Sequence, residues 1–313
     1  MSSTGKGALL ALSSALCAAV FLIPYKAAGA LVTRDAAVLA MLLCAAVFNT
    51  LTTVSLHRGS LALNRVTVVA AAALAVLTAI GNVAVGEALA QLSAGVTSVL
   101  QQTQVLFVAA MASIVLGERI TVRFVIGATV ALCGFALINL PGSEAGSEDN
   151  VRLAGMLWAV ASAVAFGAMH VITRKVIHRV QPVLLNAMRL WLAVLLLAAL
   201  PGRVPAVLDM DVRPWLLCLA AAGAGPFIGR VCIMYSVRYI PASQSTLLGL
   251  VSPVFAFILG FVFFSATPGL FDLLGTLLIT VGVAVPVAEL AAQAQPIPTS
   301  AERRQSPRST SQP

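Results

Sequence analysis

The chain has 313 residues, of which 60% are hydrophobic and only 10% charged, with a mean hydropathy of +1.00 and a formal net charge of +8. A water-soluble domain carries about 25% charged residues to cover its surface, so this composition excludes a soluble fold and requires an exterior that faces hydrocarbon. The apolar runs lack the two-residue alternation of barrel strands, which leaves α-helices to satisfy the backbone within the bilayer.

A hydrocarbon core about 30 Å thick needs about 20 residues per helical crossing. Read at that length, the sequence predicts ten spans at roughly 7–25, 35–56, 66–90, 94–116, 121–140, 153–173, 182–200, 214–236, 241–264 and 268–288. The start, Lys6 followed by Gly7 to Ile23, has the look of a secretory signal. Nine further spans follow, however, and Lys26 interrupts the only stretch resembling a cleavage site, so it reads as a retained first helix. Glu87 lies late in the third span, and only Gln91, Leu92 and Ser93 mark the turn into the fourth. The fourth span carries Thr97, Gln101 and Gln104 at i, i+4 and i+7, one face of a continuous helix. Glu118 stands at the turn before the fifth span, where a carboxylate can cap the N-terminus of a helix. His170 is alone in the sixth span without partner spacing and reads as packed rather than ligating; Arg189 lies in the seventh, and Arg230 and Tyr235 lie in the eighth. The ninth span carries Ser245, Gly249 and Ser252 on one face. Residues from about Ala291 to Pro313 are rich in Gln, Pro, Ser and Arg and read as a disordered cytoplasmic tail. The five cysteines all fall inside spans without C-x-x-C spacing and read as small buried hydrophobes.

Loop charges orient the chain. With the N-terminus inside, twelve Lys and Arg fall on the cytoplasmic side and five on the outer side; Arg189 and Arg230 lie within spans. The positive-inside rule therefore predicts a multi-pass protein of the inner, cytoplasmic membrane with both termini cytoplasmic. The net positive charge anchors helices and calls for no nucleic-acid partner.

Sliding the chain against itself by 148 positions aligns two five-helix halves, 1–140 and 153–290, joined by an outer linker at 141–152. Gly7 then meets Gly155, Lys26 meets Arg174, Phe107 meets Phe255, Gly127 meets Gly275 and Gly134 meets Gly282. Five is odd, so the second half enters the membrane from the opposite side. An inverted repeat of this kind puts a transported solute near the midplane at the interface of the halves.

These residues resemble a known family. The series Ala88-Leu89, Ser93-Ala94-Gly95, Leu116-Gly117-Glu118-Arg119, Gly127 and Gly134 is similar to the EamA-type repeat of the drug/metabolite transporter superfamily. The second half echoes it with Ala242, Ser252-Pro253-Val254-Phe255, Gly275 and Gly282, and Arg189 matches an Arg common early in the second helix of a repeat. The resemblance covers about residues 7–288 and implies a ten-helix secondary transporter, often an exporter of amino acids or other metabolites. The second half departs by having Ser265-Ala266 in place of the Gly-Glu pair; the first half departs by having Met41 in place of the Arg.

Ionisable residues within a span cost about 2.5–3.5 kcal/mol each on insertion scales, so they are functional candidates. Glu87 either couples transport to protons from a buried position or lies in the headgroups as an ordinary surface acid. Arg189 and Arg230 offer guanidinium groups for a carboxylate or phosphate; their other reading is structural, Arg189 snorkelling and Arg230 answering the kink at Pro226. Thr97, Gln101 and Gln104 with Ser245 and Ser252 form two facing walls of a cavity, or else bond helix to helix. The 148-residue shift pairs Tyr235 with Glu87 and makes it a further lining candidate. No cofactor, metal or catalytic motif is present. The expectation is an all-α membrane transporter, not an enzyme, exporting small polar metabolites such as amino acids. The alternative cargo is an amphipathic drug or a lipid-linked intermediate.

Overall fold

The computed structural model describes residues 3–56, 64–92, 97, 100–139, 149–252, 254–255, 258–259 and 270–293. The linker at 141–148, the tail from 294 onward, and the junction of the ninth and tenth spans at 260–269 lie outside the described residues. Helices run over Ser3–Gly29 (α1), Arg34–Leu56 (α2), Arg65–Gln91 (α3), Gln104–Leu116 (α4), Val122–Asn139 (α5), Asp149–Val176 (α6) and Pro182–Ala198 (α7). They continue over Arg203–Leu208 (α8), Val212–Ala222 (α9), Arg230–Tyr239 (α10), Ala242–Gly249 (α11) and Leu270–Gln293 (α12). A π-helical turn, Gly223–Gly229, joins α9 to α10. No strand occurs among the described residues, and each of the ten expected spans carries helix. Among the described residues, five helical segments are long and apolar enough to cross a membrane, one of them Val212–Tyr239 running through α9, the π-helical turn and α10, and shorter apolar helices accompany them.

Local chemistry sets the helix ends. The Asn64 side chain accepts from the Thr67 amide at 2.7 Å and caps α3. α4 stops at Gly117, whose φ of +67° suits a residue without Cβ. Pro182 opens α7 at a position where its missing N–H costs nothing. Pro226 sits inside the π-helical turn, where the ladder is already displaced to tolerate a residue that cannot donate.

The two halves are related by a two-fold axis, and the contacts state it residue by residue. A Cβ on Gly134 would lie 2.6 Å from the Gly275 carbonyl oxygen and 2.9 Å from the Ile279 nitrogen. On Gly282 it would lie 2.6 Å from both the Gly127 carbonyl oxygen and the Ala131 nitrogen. The 148-residue shift turns each of these contacts into the other. The same exchange relates Gly7, packed on Tyr239 and Ile240, to Gly155, packed on Gln91 and Leu92. Such reciprocity is the signature of a two-fold interface. It also accounts for the seven-residue glycine spacing, since α5 and α12 cross backbone against backbone.

Side chains close one face of the bundle, the basic face where Arg174, Lys175, Arg179 and Arg238 gather. Arg238 donates from Nε to the Ile177 carbonyl at 3.1 Å and from Nη2 to the Val180 carbonyl at 2.7 Å. Arg174 returns a bond from Nη1 to the Val237 carbonyl. Glu118 joins the halves: its carboxylate accepts from the Ala242 amide at 2.8 Å, the Ser243 amide at 3.3 Å and the Ser243 hydroxyl at 2.8 Å. Glu118 therefore caps α11 of the other repeat rather than the neighbouring α5, because α4 and α11 pack together. At the opposite face Arg203 and Asp35 form an ion pair at 3.0 Å, joining α8 to α2.

Candidate functional site

A cavity of about 390 Å³ lies between the two halves. Ser14, Phe21, Met41, Thr78, Asn82, Gln102 and Gln104 line it from the first half, and Phe166, His170, Arg189, Arg230, Ile233, Ser245 and Ser252 from the second. It lies where the fourth and ninth spans both break. Thr103 leaves the helix, with its amide and hydroxyl on the Leu100 carbonyl at 3.2 and 2.5 Å, before α4 begins. The shifted equivalent, Val251, leaves α11 with its amide on the Leu248 carbonyl at 3.2 Å. Discontinuous helices at the repeat interface are where transporters of inverted topology hold their solutes.

The two arginines of the cavity wall, Arg189 buried and Arg230 half-buried, differ sharply in their surroundings. Arg189, 4% exposed, donates from Nε and Nη2 to the Asn186 Oδ1 at 3.1 and 2.7 Å, and from Nη1 to the Thr78 hydroxyl at 2.9 Å. Asn186 in turn donates to the Asn49 Oδ1 at 2.9 Å and to the Pro226 carbonyl at 3.0 Å. This chain of bonds ties α7 to α2, α3 and the π-helical turn. Arg230 stands apart from that chain of bonds. Its Nε and Nη2 are buried and have no hydrogen-bond partner among the described residues. Among the described residues no Asp or Glu lines the cavity beside it.

His170 adds an acceptor. Its Nδ1 lies 2.9 Å from the Phe166 carbonyl oxygen. That oxygen can only accept, so Nδ1 carries the hydrogen and Nε2 is the acceptor of the neutral ring.

The EamA-like transporter family matches residues 5–140 and again residues 153–287. The chain belongs to the EamA-like transporter family. A protein of Streptantibioticus cattleyicolor named "Probable terminal-alkyne amino-acid exporter" is 30% identical over 193 residues, which span 61% of this chain and 63% of that protein. The chain thus matches less than two thirds of that relative's length. A protein known from a crystal structure superposes with a TM-score of 0.72 at 19% identity, over 91% of this chain and 98% of the other, and shares the fold.

Within this EamA-like fold, Gln104, Ser245, Ser252, Arg189 and Arg230 surround the cavity. Gln101 does not; Gln102 takes its place and accepts from the Gln104 Nε2 at 3.3 Å. The reason is the break at Thr103, which shifts the register that a continuous helix would keep. Thr97 is buried, its hydroxyl without a hydrogen-bond partner among the described residues, and it is outside the lining of the cavity. Tyr235 also stands outside, with the Arg238 guanidinium 5.2 Å from its ring centroid near the basic face. Glu87 is exposed on α3 and does not reach the cavity. Sequence reasoning missed Asn49, Asn186, Asn82 and Thr78. Each is a polar residue inside an apolar helix, and the rule that singled out the arginines applies to amides as well.

Proposed function

We propose that this chain is a secondary active exporter of small polar solutes such as amino acids, working by alternating access across the cytoplasmic membrane with both termini in the cytoplasm. The cavity between two-fold-related halves, at the level of two matching helix breaks, carries the reading. Two packings of such halves, one opening each face, interconvert by rocking about the shared axis. The bonds of Glu118, Arg238 and Arg174 support a conformation closed at the basic face, the one that positive loop charge assigns to the cytoplasm. The amino-acid exporter among its relatives supports the cargo and the direction.

The reading is tested in cells and in vesicles. Cells expressing the chain are expected to accumulate one or a few amino acids outside relative to an empty-vector control. Inside-out membrane vesicles are expected to take up the same solutes when energised. Equal pools in both cultures, with the protein present in the membrane and vesicles inert, refute export.

A further inference from the structure

We infer that Arg230 is the docking point for the carboxylate of an α-amino acid with an apolar side chain, and that the His170 Nε2 receives its ammonium group. The inference rests on the transport reading above and assigns the chemistry of that site.

Three observations converge. First, a guanidinium is never deprotonated at ordinary pH, and each buried N–H without an acceptor is costly. Arg189 satisfies its donors on Asn186 and Thr78, whereas Arg230 turns Nε and Nη2, one edge of its planar fork, to no protein acceptor. That edge matches the two oxygens of a carboxylate bidentately. Second, among the described residues the cavity wall holds two arginines and no acidic side chain, so a bare cation is repelled and a solute bringing a carboxylate is favoured. Third, the acceptors on that wall are neutral. Besides the His170 Nε2 there is Asn82, the residue that the two-fold axis pairs with Arg230. Neutral acceptors suit an ammonium group that already travels with its own carboxylate. The rest of the wall includes Phe21, Phe166 and Ile233, which suits an apolar side chain.

The test uses the full chain in proteoliposomes, with counterflow of labelled L-leucine, and labelled putrescine and glucose as probes lacking a carboxylate. L-leucinamide lacks the carboxylate and 4-methylpentanoate lacks the amine; each is expected to need at least about 30-fold more competitor than L-leucine for equal inhibition. That factor is about 2 kcal/mol at 1.4 kcal/mol per tenfold, the low end for an unpaired buried charge. Arg230→Gln is expected to abolish leucine exchange, Arg230→Lys to retain a fraction of it, and His170→Gln, which keeps an acceptor, to weaken it less than His170→Leu. Competition by L-leucinamide equal to that of L-leucine overturns the assignment on the wild-type protein alone, whatever the variants do. Exchange of leucine by Arg230→Gln at the wild-type rate overturns it as well. If putrescine or glucose exchanges and leucine does not, the Arg230 assignment fails while transport stands. If no probe exchanges, the transport reading fails and takes this inference with it.

Discussion

The crossing of α5 over α12 gives a prediction whose size and non-additivity both come from geometry. Replacing Gly134 by Ala sets a Cβ 2.6 Å from the Gly275 oxygen and 2.7 Å from the Leu278 Cβ. Replacing Gly282 by Ala sets one 2.6 Å from backbone atoms of Gly127 and Ala131. Ordinary van der Waals contact begins at 3.4 Å, so the shortfall is about 0.8 Å in both cases. The obstructing atoms are mainly backbone, and no rotamer change removes them. The helices must back apart, and a gap of 0.5–1 Å forfeits about a quarter to a half of each dispersion well along the crossing. Overfilling a packed site by one methyl typically costs about 1–3 kcal/mol, and we expect about 2 kcal/mol for each single variant. One separation relieves both clashes, because they lie on the same two-fold contact. The double variant is therefore expected to cost about as much as either single one, with a coupling near −2 kcal/mol. SDS-titrated unfolding in mixed micelles measures all three. Single variants as stable as wild type, or a double variant costing the sum, refute the backbone-to-backbone crossing.

Three further outcomes follow from the same structure. Asn186→Leu strips Arg189 of two hydrogen bonds and is expected to destabilise by about 2–3 kcal/mol; the Asn186→Leu/Arg189→Met double variant should recover most of that loss in the same titration, since both partners are gone. Glu118→Ala removes the cap on α11 and is expected to cost about 1 kcal/mol. It should also speed maleimide labelling of a Ser245→Cys reporter from the basic face, and an unchanged rate counts against Glu118 as a tie between the halves. Glu87→Gln is expected to leave the pH profile of transport unchanged, because the carboxylate is exposed and away from the cavity; an altered profile would restore it as a proton carrier.

Helices, repeat and glycine crossing were legible because each leaves a mark in residue type: hydropathy over 20 residues, a constant offset of 148, and a residue without Cβ where backbones touch. The orientation of each helix was not. On α3, Leu74 is 0% exposed and Val69 is 61% exposed, yet both are aliphatic, because the bilayer and the core are equally apolar. Amphipathic periodicity, the usual guide to a buried face, therefore carries little signal here. Polar residues had to serve as the guide, and that guide assumes an unbroken helix. In the ninth span Ser245 and Ser252 both line the cavity, whereas Gln101 stands one register off, across the turn at Thr103.

On the proposed function, the two-fold axis also bears on how a symmetric scaffold would hold an asymmetric solute. Cavity positions pair across it: Phe21 with Met169, Thr78 with Pro226, Gln104 with Ser252, Met41 with Arg189 and Asn82 with Arg230. The shape of the wall is thus nearly repeated, but both formal charges belong to the second half, facing Met41 and Asn82 in the first. A solute of the proposed kind, with one charged end and one apolar end, would be oriented by that difference, its carboxylate toward the second repeat. Rocking the halves can exchange which face is open without altering which half holds the charge. On the proposed mechanism, the glycines and helix breaks shared between repeats would serve the rocking, and the side chains that differ between them would choose the cargo.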